Sequence, residues 1–405
     1  MIYTWHEMQQ ALAAPLHTWA ESTRQWFSNP FSPLSYTPAS PKIAAGSELI
    51  ARLVHRYEKP VFGLPHTLID GREALVEERV VVEKPFCKLL HFQRDGSGSD
   101  PKVLLVAPLS GHHASLLRDT VRALLPRHDV YLTDWIDARL VPLSQGNFHF
   151  ADYVAYLQEF IRLLGPDVHV VAVCQPTVPV LAAVALMAAH DDPGQPRSMT
   201  LMGGPIDTRQ AQTEVNRFAQ NHSLRWFETK VIDRVPLKYP GYARRVYPGF
   251  LQHAGFVAMN QDRHVQAHKD FYNHLIEGDG DSAKAHRKFY DEYNAVMDLP
   301  AEYYLETIAM VFQKHQLPLG EMRIGGELVA PAAIRRTALF TIEGELDDIS
   351  GPGQTAAAHD LCISLPARKK RHFLVPGVGH YGIFSGRRWR EQICPCLHDF
   401  IREHA

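Results

Sequence analysis

The feature that most constrains this chain is a series of short apolar runs separated by helix-like stretches. Residues 103–107, 130–133, 169–173, 199–202, 337–342 and 371–375 are such runs. Between or after them, residues 114–125, 153–164, 178–189, 354–362 and 387–402 repeat apolar side chains at helical spacing. This cadence predicts a mostly parallel sheet with helices on both faces, because strands covered on both sides need apolar residues throughout. Residues 78–84 and 86–92, flanking Pro85, predict an antiparallel lead-in to that sheet. The cadence stops between 206 and 335, where aromatic-rich helical segments at 265–276, 285–299 and 301–315 take over. At 405 residues the chain is also too long for one ordinary core. The expected organisation is an N-terminal helical extension at 1–75, an α/β core from 76–205 and 336–405, and a helical cap inserted at 206–335.

The extension has a pattern of its own. Trp5, Met8, Leu12, Leu16, Trp19, Thr23 and Trp26 fall three or four apart, one helical stripe with an interruption expected near Pro15. Such a stripe is expected to pack against the core; docking on an external apolar surface is the alternative.

A formal net charge of −2, from 42 Lys+Arg and 44 Asp+Glu, gives no electrostatic reason to expect nucleic acid as a partner. Cys87, Cys174, Cys362, Cys394 and Cys396 are odd in number and scattered, unlike a disulfide framework. The first residues lack the basic lead and apolar run of a signal peptide, and no stretch approaches the ~20 apolar residues of a membrane span. These features predict a soluble, reduced, cytoplasmic protein.

The chemistry centres on Val-Ala-Val-Cys-Gln-Pro at 171–176, between a buried strand and a helix. A sharp strand-to-helix turn exposes a nucleophile at the sheet's carboxyl edge, beside a helix N-terminus whose partial positive charge favours a thiolate. Ala172 is small, as the crowded turn requires. Pro176 stands where Gly is expected, but Pro suits a first helical turn. Alone, a Cys at a strand end reads equally well as an inert core thiol. The later strand ends add to it. Glu343-Gly-Glu-Leu-Asp-Asp348 is a carboxylate-rich turn after one strand, and Val375-Pro-Gly-Val-Gly-His380 puts a His on a Gly-flanked loop after the next. Nucleophile, acid and His in this order make the α/β-hydrolase sequence of catalytic groups, so Cys174, Asp347 and His380 are the candidates. Asp347 is preferred to Asp348 by its Gly-x-x-Asp spacing from Gly344. The oxyanion donors are expected to be the backbone N–H of Gln175 and that of Leu109 or Ser110 in the loop after an earlier strand. His112 and His113 in that loop lack partners at metal-ligand spacing and read as helix-capping or substrate-lining. No metal site is expected.

Several long motifs resemble the intracellular polyhydroxybutyrate depolymerases. They are Ala107-Pro-Leu-Ser-Gly-His-His113, Thr133-Asp-Trp-Ile-Asp-Ala-Arg139, Val173-Cys-Gln-Pro-Thr-Val-Pro179, Met202-Gly-Gly-Pro-Ile-Asp207, Tyr247-Pro-Gly-Phe-Leu-Gln-His253, Glu343-Gly-Glu-Leu-Asp-Asp-Ile-Ser350 and Gly379-His-Tyr-Gly-Ile-Phe-Ser385. The resemblance covers nearly the whole chain. It implies an α/β-hydrolase fold with an inserted cap, with Cys174 as nucleophile, Asp347 as acid and His380 as base. It implies cleavage of polyhydroxybutyrate esters through a Cys-acyl intermediate, at storage granules in the cytoplasm. Products would be 3-hydroxybutyrate or oligomers, or 3-hydroxybutyryl-CoA if coenzyme A rather than water accepts the acyl group; no cofactor is required. Related polyhydroxyalkanoate synthases use a Gly-x-Cys-x-Gly elbow, and this chain lacks both glycines. A synthase-like acyltransferase and a non-catalytic granule-binding protein are the competing readings. The sequence leaves the oligomeric state open, a homodimer included.

Overall fold

The computed structural model describes residues 2–259 and 261–405. Nine strands form the main sheet: β1 (His66–Ile69), β2 (Arg72–Glu83), β3 (Cys87–Arg94), β4 (Lys102–Val106), β5 (Asp129–Trp135), β6 (Val168–Val173), β7 (Ser198–Met202), β8 (Ala338–Gly344) and β9 (Lys370–Val375). Their order is β1-β2-β3-β5-β4-β6-β7-β8-β9. Pairs from β1 to β3, and β3 with β5, are antiparallel. All pairs from β5 across to β9 are parallel. Every side chain of β6, β7 and β8 is buried, which is why these strands read as continuous apolar runs rather than alternations. Near the open edge, β2 is mostly exposed, and a register shift between Val80 and Val82 disturbs its pairing with β3.

The helices follow from the same pattern, the core's first being α3 (Arg118–Leu124). Along α4 (Phe150–Leu164), Tyr153, Leu157, Phe160, Ile161 and Leu164 bury one face, and the helix stops at Gly165, φ +90°. By contrast α5 (Thr177–Ala189) is buried almost all round, and Ala182, Ala183 and Ala185 suit such close packing. The predicted helix at 354–362 shortens to Ala358–Leu361. Its intended first turn is diverted: the N–H groups of Gly353, Thr355 and Ala356 donate to the buried Glu343 carboxylate at 2.7–2.9 Å. Glu343→Gln removes the charge from these bonds and is expected to cost about 2 kcal/mol, read as a lower unfolding midpoint in urea.

Between β7 and β8 lie α6 (Glu214–Asn221), α7 (Leu224–Lys230), α8 (Gly249–Met259), α9 (Gln261–Glu277), α10 (Gly280–Asn294) and α11 (Ala301–Thr307). A π-helical segment, Ile308–Gln313, continues α11. Asp233–Arg234, Arg245–Tyr247 and Leu299–Pro300 add a small antiparallel sheet, with strands too short to show a period in sequence. This segment is seated on the loop after β4. Met297 N–H donates to the Gly111 carbonyl at 2.8 Å, and His112 bridges to Val296. A Cβ at Gly111, φ +98°, would lie 2.6 Å from Gln252 Oε1 of α8.

The N-terminus departs from expectation. Helix α1 (Ile2–Ser28) runs unbroken through Pro15, and α2 (Ser40–Val54) folds back against it. The stripe of Trp5, Met8, Leu12, Leu16, Trp19 and Trp26 does not pack on the core; it faces outward, with Leu12 73% exposed. The other side of α1 is anchored instead. Tyr3 is buried, and its hydroxyl donates to Asp298 Oδ2 at 2.8 Å. Among the described residues no helix is long and apolar enough to cross a membrane.

Candidate active site

Cys174 occupies the bend between β6 and α5 with φ +68°, the left-handed region that a side chain enters only at a cost in strain. The bend is held on both sides. Cys174 N–H donates to the Met202 carbonyl at 2.7 Å, and the Cys174 carbonyl accepts from Thr177 N–H at 3.2 Å. Ala172 is fully buried before the bend, and Pro176, φ −66°, leads into the helix without needing an N–H partner. Unlike the buried thiols of Cys87, Cys362 and Cys394, Cys174 remains partly accessible.

The later strands bring the other two groups to the same bend. His380 Nδ1–H donates to Asp347 Oδ2 at 2.8 Å, and both side chains are buried. The other Asp347 oxygen accepts the N–H groups of Ile349 and Ser350 at 2.9 and 2.8 Å, which fixes the carboxylate. Asp348 points to solvent. Burial alone would push the His380 pKa down. The Asp347 charge, then Cys174 beside the ring, outweigh burial and hold it well above 6.5. The Cys174 side chain lies beside the His380 ring, close enough to help hold the proton there. A thiol, an imidazole and an oriented carboxylate in series can deliver a sulfur nucleophile and shuttle one proton.

Gly203 and Gly204, after β7, are part of this arrangement, although their sequence motif had suggested no role. Gly203 has φ +53°, and a Cβ there would lie 2.4 Å from Ile383 Cδ1 and 3.2 Å from Asp347 Oδ2. At Gly204 it would meet Thr177 Oγ1 at 1.8 Å. The glycines let the acid and His loops close over the bend. Gly203→Ala is expected to lower kcat by about a hundredfold, because displacement of about 1 Å at reacting groups costs that much. Ester-hydrolysis kinetics check this, and a kcat near wild type would contradict the close approach.

The loop after β4 is pinned where Ala107 N–H donates to Thr133 Oγ1 at 2.9 Å and Trp135 Nε1–H donates to the Ala107 carbonyl at 2.8 Å. Leu109 N–H points at Gln175 Oε1, 3.4 Å away, while Ser110 is half-buried. The Gln175 amide in turn donates to the Tyr303 hydroxyl of α11. One side chain thus links a predicted oxyanion donor, the cysteine bend and the overlying helix. His112 is buried with Nε2 bonded to the Tyr293 carbonyl at 3.2 Å, and burial pushes its pKa down to about 4. It ties the loop to α10. His113 precedes the short turn Ala114–Leu117 but forms no capping bond, so the capping expectation fails; burial pushes its pKa to about 3. Among the described residues no group of three His, Cys, Asp or Glu side chains is placed to hold a metal ion.

A mostly parallel sheet, a nucleophile-type residue on a left-handed strand–helix bend, and Asp and His following from the last two strands define an α/β-hydrolase. Residues 203–405 match the family described as PHB de-polymerase C-terminus. The chain belongs to this family of polyhydroxybutyrate depolymerases. No curated protein matches it. Similar solved structures include the 2-hydroxy-6-oxo-6-phenylhexa-2,4-dienoate hydrolase of Rhodococcus sp. strain RHA1, at 14% identity and TM-score 0.44, over 81% of this chain and 99% of that one. The monoacylglycerol lipase of Paleococcus ferrophilus is similar at 11% identity and TM-score 0.43, over 76% and 96%. A thermophilic esterase of Thermogutta terrifontis is similar at 12% identity and TM-score 0.42, over 82% and 100%.

Proposed function

We propose that the chain is an intracellular depolymerase that cleaves the ester bonds of polyhydroxybutyrate storage granules through an acyl group on Cys174. The observation that carries this is the Cys174 thiol at a strained bend beside an imidazole anchored by a buried carboxylate, in a chain of this family. The sulfur, its proton already passed to His380 Nε2, attacks the ester carbonyl carbon. The N–H groups of Gln175 and of Leu109 or Ser110 stabilise the oxyanion, Gln175 Oε1 giving way to the substrate oxygen at Leu109. The carbon–oxygen bond breaks, and His380 returns the proton to the departing chain as an alcohol. The 3-hydroxyacyl thioester is then attacked by water, whose proton goes to His380. The carbon–sulfur bond breaks, and 3-hydroxybutyrate or an oligomer leaves as the acid. Coenzyme A in place of water would give 3-hydroxybutyryl-CoA by the same steps.

The test is to supply amorphous poly(3-hydroxybutyrate) particles with and without coenzyme A and measure 3-hydroxybutyrate, oligomers and thioester. Release of soluble products is expected. Polymer growth and free thiol from 3-hydroxybutyryl-CoA, with no release from particles, would instead make the chain a synthase-like acyltransferase. Particle binding with neither reaction would make it a granule-coat protein.

A further inference from the structure

Surface helices normally turn apolar residues inward and charges outward. Helix α1 does the reverse. Its charged residues, Glu7, Glu21 and Arg24, are partly buried on the side facing α2 and the segment after β7. Glu7 pairs with Lys238 and accepts from the Tyr239 hydroxyl at 2.6 Å, and Arg24 donates to Glu21 at 3.0 Å. The outer face presents Trp5, Met8, Leu12, Leu16, Trp19 and Trp26, between 44% and 73% exposed, and every exposed residue along the helix is uncharged. At 1.5 Å per residue the apolar ridge from Trp5 to Trp26 is about 32 Å long, more than a soluble surface normally leaves uncovered.

The geometry points to the outer face of α1 as the docking surface for the solid polyester itself; this rests on the depolymerase reading above. A polyester surface carries methyl and methylene groups and carbonyl acceptors, with no charge. The ridge matches it term by term: apolar rings and chains, indole N–H donors, and no charge to desolvate. An anionic lipid surface selects Lys or Arg beside the apolar stripe, and this face has none. A second copy pairing helix to helix favours Leu, Ile or Val along the seam with charged flanks, whereas here Trp takes three seam positions and the flanks are neutral. The ridge is also tied to the roof of the site. Arg52 of α2 pairs with Asp291 of α10 at 2.6 Å, Arg287 of α10 with Glu48 of α2 at 2.6 Å, and the Phe289 ring of α10 meets Tyr381, next to His380.

The test uses the full chain with Leu12→Lys/Trp19→Lys and, as a milder change, Trp26→Gln. Pelleting with amorphous poly(3-hydroxybutyrate) particles is read beside hydrolysis of p-nitrophenyl butyrate, thermal melting and light scattering. The double variant is expected to pellet at least about tenfold more weakly and cleave particles correspondingly slowly. Trp26→Gln is expected to do the same to a smaller degree, with soluble-ester kinetics, melting and mass in solution unchanged for both. Wild-type pelleting by both variants would overturn the assignment. So would equal wild-type binding to phosphatidylcholine or phosphatidylglycerol vesicles, or a change from dimer to monomer in the variants. Cys174→Ala separates the two readings, since it is expected to pellet as wild type. Wild-type chain that pellets through this face yet cleaves nothing would end the depolymerase reading alone; chain that cleaves particles with or without the ridge would end the docking assignment alone.

Discussion

Cys174→Ala is expected to lower turnover of polymer particles and of a soluble ester by roughly 10⁴-fold or more, with the sheet and helices intact. The magnitude follows from losing the proposed nucleophile beside His380; among the described residues the other partly accessible thiol, Cys396, lies on the last helix, Cys394–Glu403. Cys87, Cys362 and Cys394 are buried elsewhere in the core. Burial pushes the Cys362 and Cys394 thiols up to about 12, so they stay protonated at neutral pH. Thermal melting should move little, because alanine inherits the same left-handed bend and the same backbone bonds to Met202 and Thr177. Cys174→Ser is expected to fall between the two, with a weaker nucleophile on the same bend. Residual alanine activity within tenfold of wild type would exclude the thiol from chemistry.

Asp347→Asn is expected to cost about 10⁴-fold in kcat, as loss of the orienting carboxylate does in serine-dependent triads. It should also change the pH profile. Burial lowers the His380 pKa, and Asp347 is the largest of the influences that raise it above 6.5. His380 therefore keeps its proton to higher pH than a free imidazole does, and on the proposed mechanism gives it to the leaving alcohol, so activity is expected to fall toward alkaline pH. Without the carboxylate that alkaline limb should move to lower pH. Stability follows the same sign. A pKa raised by folding contributes stability that is full below about 6.5 and lost as pH rises through the folded value. The difference in melting temperature between wild type and Asp347→Asn should thus be largest in mild acid. A profile whose alkaline limb stays in place would remove Asp347 from its role beside His380.

The parallel half of the sheet was legible because strands buried on both faces can use only apolar residues, so β4, β6, β7 and β8 stand out as runs. The Gly344 spacing favoured Asp347 over Asp348 as the candidate acid; in the structure Asp347 bonds His380, while Asp348 is exposed. Other features were decided by contacts that no local pattern carries. The helix expected at 354–362 lost its first turn to a carboxylate ten or more residues earlier in the chain, Glu343. Gly203 and Gly204 are required by side chains from three other segments. Helical periodicity identified the α1 stripe but could not say which side faced the protein. The charges Glu7, Glu21 and Arg24 held the missing signal, because all three are partly buried, Glu7 pairing with Lys238 across the interface and Glu21 with Arg24 along the helix.

The most direct measurement is a peptide map of the enzyme quenched in acid during turnover of poly(3-hydroxybutyrate) or a soluble 3-hydroxybutyrate ester. A 3-hydroxyacyl mass increment on the peptide carrying Cys174, absent from Cys174→Ala, is the expected result. The same increment on any other residue, with the Cys174 peptide unmodified, would contradict it.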